Sequence, residues 1–219
     1  MSNITNLSSV RKIGITNRSV SGVVPKIGSY ESSLERDFME LWRFDDSVKS
    51  ITPQPLTIRY SDKYNIARSY TPDGLLIFQD YLEHKPVLYE IKYRADFRDS
   101  WKSLLPKFRA AKTMALARGW EFKVFTEVEV RTPYLDNIKF LWRYKDLNVE
   151  SEMALHILTV LSDLQEADPD LLIAALCNTP RNKATMIPIV WYLIANFRIG
   201  CDLNVPLTMH SKIWTQEEI

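Results

Sequence analysis

The sequence predicts an α/β domain over residues 30–132, followed by a helical module over residues 133–219. Two observations carry this reading. Before residue 130 the apolar residues alternate in short runs and then recur at helical spacing, in the order helix, strand, strand, strand, helix, strand. After residue 133 the helical period takes over almost completely. With 46% hydrophobic residues the chain has enough apolar surface for a real core, which argues against disorder.

Residues 1–29 are polar and carry Arg11, Lys12, Arg18 and Lys26 without any acid, so they read as an extended basic arm. Ser32 and Glu35 stand at capping-box spacing, and Leu34, Phe38, Leu41 and Trp42 follow on one helical face. Pro53 and Pro55 close that element, and Leu56–Tyr60 reads as a strand. Leu75–Phe78 and Val87–Tyr93 read as a hairpin around a turn at 79–86. A helix over Leu104–Arg118, with Leu104, Phe108, Ala111 and Ala115 on one face, ends at Gly119. Phe122–Phe125 is the strand it returns to.

In the second module Ala154, Ile157, Leu158, Leu161 and Leu164 share one face. Asp168-Pro169 gives an N-cap with proline at the first helical position, leading into Leu171–Cys177. Ile187, Val190, Trp191, Ile194 and Phe197 form another face, which Gly200 stops, and 199–203 with 206–214 read as a terminal hairpin. Three helices and a hairpin point to a winged-helix-like module.

The net charge is only +1, but it is segregated. Residues 92–123 hold nine basic and three acidic residues, and residues 145–170 hold one basic and seven acidic. A neutral total with a basic zone fits phosphate contact at one place, not indiscriminate coating of DNA. Lys102, Lys107, Arg109 and Lys112, on or just before the predicted 104–118 helix, are the candidates for holding a DNA backbone. The acidic stretch and the module around it are the candidate docking surface for partner proteins. Cys177 and Cys201 read as free thiols of a reducing cytoplasm, and with His84, His156 and His210 they give no zinc spacing. No secretion signal is expected from the polar first ten residues. The apolar run Met186–Ala195 is too short to span a bilayer.

The chemistry concentrates in Thr71-Pro72-Asp73-Gly74 and Tyr89-Glu90-Ile91-Lys92. Side chains alternate along a strand, so Glu90 and Lys92 share a face with Leu88, while Val87, Tyr89, Ile91 and Tyr93 form the expected core face. The hairpin brings Asp73 beside Glu90. Two carboxylates suit a hard cation such as Mg²⁺, which neutralises phosphate charge and acidifies water, and a lysine beside them stabilises negative charge. Glu35, at the edge of the apolar arc of its helix, is the further acid. Glu31, one turn earlier, is a rival that sequence geometry does not separate from it.

Residues 11–26 run into Tyr30-Glu31-Ser32-Ser33-Leu34-Glu35-Arg36-Asp37-Phe38. Phe44-Asp45, Pro53-Gln54-Pro55-Leu56, Tyr70-Thr71-Pro72-Asp73 and Glu90-Ile91-Lys92 follow. This series resembles the TnsA endonucleases of bacterial cut-and-paste transposons, closely over residues 11–130 and more loosely beyond. The resemblance implies a restriction-endonuclease-like PD-(D/E)xK domain with a mixed sheet, then a winged-helix-like domain. It places the catalytic residues on Glu35, Asp73, Glu90 and Lys92, where some relatives carry glutamine in place of Glu90. The shared strand face and the hardness of carboxylate oxygens give the expectation of two Mg²⁺ or Mn²⁺ ions held by Glu35, Asp73, Glu90 and the carbonyl of Ile91. The resemblance also implies nicking of the 5′ strands at double-stranded transposon ends in a bacterial cytoplasm, with a TnsB-like DDE transposase and a TnsC-like ATP-dependent regulator as partners. The alternatives are another nuclease of this fold, of restriction or repair type, and a catalytically silent DNA- or regulator-binding module.

Overall fold

The computed structural model describes residues 21–62 and 64–216, which divide into two compact units meeting in sequence at Arg131 and Thr132. The basic arm up to residue 20 lies outside the described residues.

The first unit is built on a four-stranded mixed sheet in the order β3 (Val48–Pro53), β6 (Gly74–Phe78), β7 (Val87–Ile91), β8 (Glu121–Phe125). β6 pairs antiparallel with β3 and β7, and β8 runs parallel to β7. A parallel neighbour needs a crossover, and α2 (Arg94–Ala117) supplies it. On one face α1 (Ser33–Phe44) packs Leu34 and Phe38 against Leu76, Val87, Tyr89 and Ile91. The Phe38 ring centroid lies 4.5 Å from that of Tyr89 and 4.8 Å from that of Phe125. On the other face Ala111 and Ala115 of α2 pack against Leu75 and Leu88. The same cluster takes in Ile58 and Tyr70 from a separate hairpin, β4 (Ile58–Ser61) with β5 (Ala67–Tyr70). Each large side chain buried in this way contributes about 1.5–3 kcal/mol.

The helix starts follow the sequence. Ser32 has an extended backbone and its hydroxyl accepts the Glu35 N–H at 3.1 Å, which fixes the start of α1. Gly119, at φ +75°, takes the left-handed turn that stops α2.

Several expectations are corrected. Residues 22–30 are not part of an extended arm but form a hairpin of β1 (Gly22–Val24) and β2 (Gly28–Tyr30). β3 and β5 were invisible because neither Val48–Pro53 nor Ala67–Tyr70 alternates: β3 ends on a proline, and only Tyr70 of β5 is buried. The strand expected at 56–60 belongs to the β4–β5 hairpin instead of the main sheet. α2 begins ten residues before Leu104, because its first turns are exposed and so carry no apolar stripe. Both faces of β7 are core, so Leu88 and Glu90 point into packed structure just as Tyr89 does.

Among the described residues the second unit holds four helices instead of three: α4 (Pro133–Lys145), α5 (Ser151–Leu164), α6 (Pro169–Leu176) and α7 (Pro180–Ala195). The short α3 (Glu127–Val130) closes the first unit. Leu135, Ile138 and Leu141 of α4 are buried, as are Ile157, Leu161, Leu172, Leu193 and Ile194 of the other helices. Asp168 caps α6 by accepting the Leu171 N–H at 2.7 Å. Gly200 does not stop α7. That helix ends at Asn196, Phe197 takes the left-handed turn at φ 55°, and Gly200 sits inside β9 (Ile199–Cys201) opposite Trp214 of β10 (Ile213–Thr215). No helix among the described residues is long and apolar enough to cross a membrane.

Candidate active site

The register of the β6–β7 hairpin pairs Gly74 with Tyr89, which sets Asp73 next to Glu90 at the C-terminal end of β7. A carboxylate oxygen of Asp73 accepts the Ile91 N–H at 2.6 Å, and its carbonyl accepts the Gln54 N–H at 2.9 Å. Asp73 is thereby tied to both neighbouring strands.

Glu90 is 1% exposed. One carboxylate oxygen accepts the Tyr70 hydroxyl at 2.6 Å; the other lies 3.0 Å from the Lys107 ammonium and 3.5 Å from that of Lys92. A buried carboxylate persists only with such partners. Lys92 is half-buried. Burial alone would lower its pKa, but the charges of Asp73, Glu90 and Glu35 outweigh that and raise it, so it is an ammonium at neutral pH.

Glu35 plays the cap role and lies within reach of the site as well. Its two oxygens accept the Ser32 hydroxyl and the Glu31 N–H, each at 2.9 Å. Burial holds its carboxyl above the usual range, against the lowering effect of those hydrogen bonds, and the Lys92 charge also acts on it. Glu31 is exposed, and it touches the site through the Glu35 carboxylate. Asp73 is pushed well above the usual carboxylate range by burial, then by the charges of Glu90 and Glu35, with Lys92 and the Ile91 N–H opposing. Three acids therefore crowd one strand end with insufficient positive charge, a common electrostatic mark of functional sites.

The donor set suits a hard divalent cation, whose charge would relieve this repulsion. Two details agree. The Tyr89 hydroxyl is buried without a hydrogen-bond partner, and burial, Asp73 and Glu35 raise its pKa. The missing side chain of Gly74 makes room for that hydroxyl, since a Cβ there would collide with it. Among the described residues, however, no three Asp, Glu, His or Cys side chains are arranged to hold an ion as they stand. Glu90 faces Tyr70 and Lys107, and Glu35 faces the start of α1.

Of the four basic residues assigned to DNA, Lys102, Arg109 and Lys112 are exposed on α2. Lys107 is not on that surface: its side chain is 18% exposed and seated over the Tyr70 ring at 4.5 Å. The sequence reading also missed Tyr70, Gln54 and Arg131 as supports of the site. Gln54 is buried just after β3 with a left-handed φ of 46° and an unpartnered amide oxygen. Arg131 bonds Asp37 at 3.0 Å, Ser33 at 3.0 Å and Tyr93 at 3.2 Å, joining the start of α1 to the residue after Lys92. Tyr70 stood three residues before Asp73 and could have been suspected. Lys107 gave no sequence signal apart from its charge.

An acid at the mouth of an antiparallel hairpin, a Glu-x-Lys at the end of an inner strand, and helices on both faces of a mixed sheet fit a restriction-endonuclease-like N-terminal domain. Residues 45–127 match the family model described as TnsA-like endonuclease N terminal. The match takes in Asp73, Glu90 and Lys92, leaves Glu35 outside it, and supports a nuclease of the Tn7 transposition type. No curated protein matches the chain.

Proposed function

We propose that this chain is a metal-dependent DNA endonuclease that nicks the 5′ strands at transposon ends as one subunit of a cut-and-paste transposase. The observation that carries the reading is the convergence of Asp73, Glu90 and Lys92, with Glu35 beside them, inside the segment similar to TnsA endonucleases. Asp73, Glu90 and Glu35, with the Ile91 carbonyl, would hold Mg²⁺ or Mn²⁺, two ions in all. When bound, the cation supplies neutralisation of phosphate charge and acidification of water. Lys92, kept cationic by its acidic neighbours, stabilises the negative charge that develops on the phosphate as water displaces the leaving oxygen. Asp73 is fixed for its role by the Ile91 N–H, and Glu90 by Tyr70.

The second unit, read as winged-helix-like, and its acidic stretch 145–170 would dock a TnsB-like transposase or a TnsC-like regulator in a bacterial cytoplasm. A net charge of +1 gives little sequence-independent attraction to DNA, so partners would deliver the active site to the ends. The test is cleavage of the element's end DNA by the purified protein, with and without its transposase, in Mg²⁺ and in EDTA. The expected result is a Mg²⁺-dependent 5′-strand nick that appears only with the transposase. Rapid cutting of arbitrary DNA by the chain alone would remove the partner-dependent part. Absence of any nick with Mg²⁺ and partners present would remove the nuclease reading.

A further inference from the structure

We propose that Lys107 is a positioning residue that keeps Glu90 closed: its ammonium occupies the carboxylate oxygen that a cation needs, and it leaves that seat when the cation binds. This rests on the metal-dependent reading above and goes beyond it in naming what the cation must displace. Both oxygens of Glu90 are engaged, one by Tyr70 at 2.6 Å and one by Lys107 at 3.0 Å. Of these partners Tyr70 comes from β5 and leans on the core cluster around Leu75 and Leu88. Lys92 directly follows β7, and its backbone is held by the N–H it donates to the Phe125 carbonyl at 3.0 Å. Lys107 alone reaches Glu90 from α2, on a long flexible stem, and its head rests 4.5 Å above the Tyr70 ring and 5.2 Å from the Phe108 ring. Pro106, just before it, has no N–H to give the helix ladder.

This geometry explains two facts together. Glu90 can be 1% exposed because Lys107, closer than Lys92, supplies opposite charge at its carboxylate. No three acids are arranged for an ion among the described residues, and the Glu90 carboxylate is turned to Lys107 and Tyr70. Once released, the ammonium remains on the helix that carries the exposed Lys102, Arg109 and Lys112, where a DNA phosphate is its natural next partner.

The test is Mg²⁺ binding to the full chain without DNA, measured by calorimetry for the wild type, Lys107→Met and Lys107→Arg. Removing one competing charged hydrogen bond should tighten binding about tenfold in Lys107→Met. Lys107→Arg, which keeps the charge, should bind like the wild type. In the wild type, Mg²⁺ should also move the Lys107 Cε proton resonances downfield as they leave the shielding of the Tyr70 ring. This second readout decides the matter if Lys107→Met does not fold. Unchanged or weaker binding in folded Lys107→Met, or Lys107 resonances that stay put while Mg²⁺ binds, would overturn the latch and leave the nuclease reading intact. No Mg²⁺ binding by any of the three proteins would overturn the metal site itself, and the latch with it.

Discussion

The two units bury their polar groups in opposite ways. In the second unit the buried polar side chain among the described residues is Asn137, and it is fully matched. Its amide donates to the carbonyls of Leu203 and Val205 at 2.9 and 2.7 Å and accepts the Leu207 N–H at 3.0 Å. All of its partners are neutral backbone groups, and the result is a pinned loop. In the first unit Glu90 is buried beside Asp73 and near Glu35, and these carboxylates repel one another. A buried group satisfied by backbone builds structure. Buried carboxylates crowded together build a site at the expense of stability.

The sharpest way to break this comparison is Asp73→Asn. It should abolish cleavage and at the same time stabilise the metal-free protein. A carboxyl with a raised folded-state pKa binds its proton more tightly folded than unfolded. Its stabilising share is therefore intact below the ordinary carboxylate pKa and is lost as pH rises through the raised value. Wild-type protein in EDTA should accordingly lose melting temperature relative to Asp73→Asn as pH rises above the ordinary carboxylate range, by on the order of 2–4 °C per kcal/mol for a chain of this size. Mg²⁺ at pH 8 should restore the wild type and not the variant. Parallel pH profiles for the two proteins would show that Asp73 is not strained.

Asn137→Ala is the matching change in the other unit. It leaves two carbonyls and one N–H without their partner, at a cost of about 2–4 kcal/mol. Calorimetry should show one transition lowered while Mg²⁺ binding is unchanged. A weakened Mg²⁺ affinity would mean that the units do not divide chemistry from structure in this way.

The same contrast explains what the sequence could disclose. Asp73, Glu90 and Lys92 were legible because a hairpin with period-two alternation fixes which residues meet. Asp168-Pro169 and Gly119 were legible because caps are local chemistry. Lys107 was read as a surface cation because a helix position shows its face only when neighbouring apolar residues mark one, and the turn around Pro106 marks it poorly. β3 escaped for a similar reason: as an edge strand it is partly buried, and Val48–Pro53 carries a lysine, a serine and a closing proline. The role of Gly200 was misread because Phe197, which no propensity favours at positive φ, takes the helix-ending turn in its place. Long-range pairing such as Arg131 with Asp37, 94 positions apart, leaves no local trace at all.

The smallest effect is expected from the exposed face of α2, and it separates the two kinds of lysine on that helix. Lys102, Arg109 and Lys112 are exposed; Lys102 rests 5.8 Å over the exposed Trp101 ring, whereas Lys107 is half-buried over Tyr70. Cations of this kind bind phosphate by releasing counterions, so each contact contributes a slope of about −0.9 in the logarithmic salt dependence. Replacing all three by glutamine should weaken binding to any duplex and flatten the slope by up to about 2.7, with the fold unchanged. The acidic residues Glu150, Glu152 and Asp163 of the second unit make the counterpart. Their neutralisation should leave the slope unaltered if DNA is held by the first unit alone. Fluorescence anisotropy over a salt series, with a transposon-end duplex and a scrambled one, measures both. A loss confined to the end duplex would mean that α2 reads bases, and an unchanged slope in the triple variant would mean that this face only meets water.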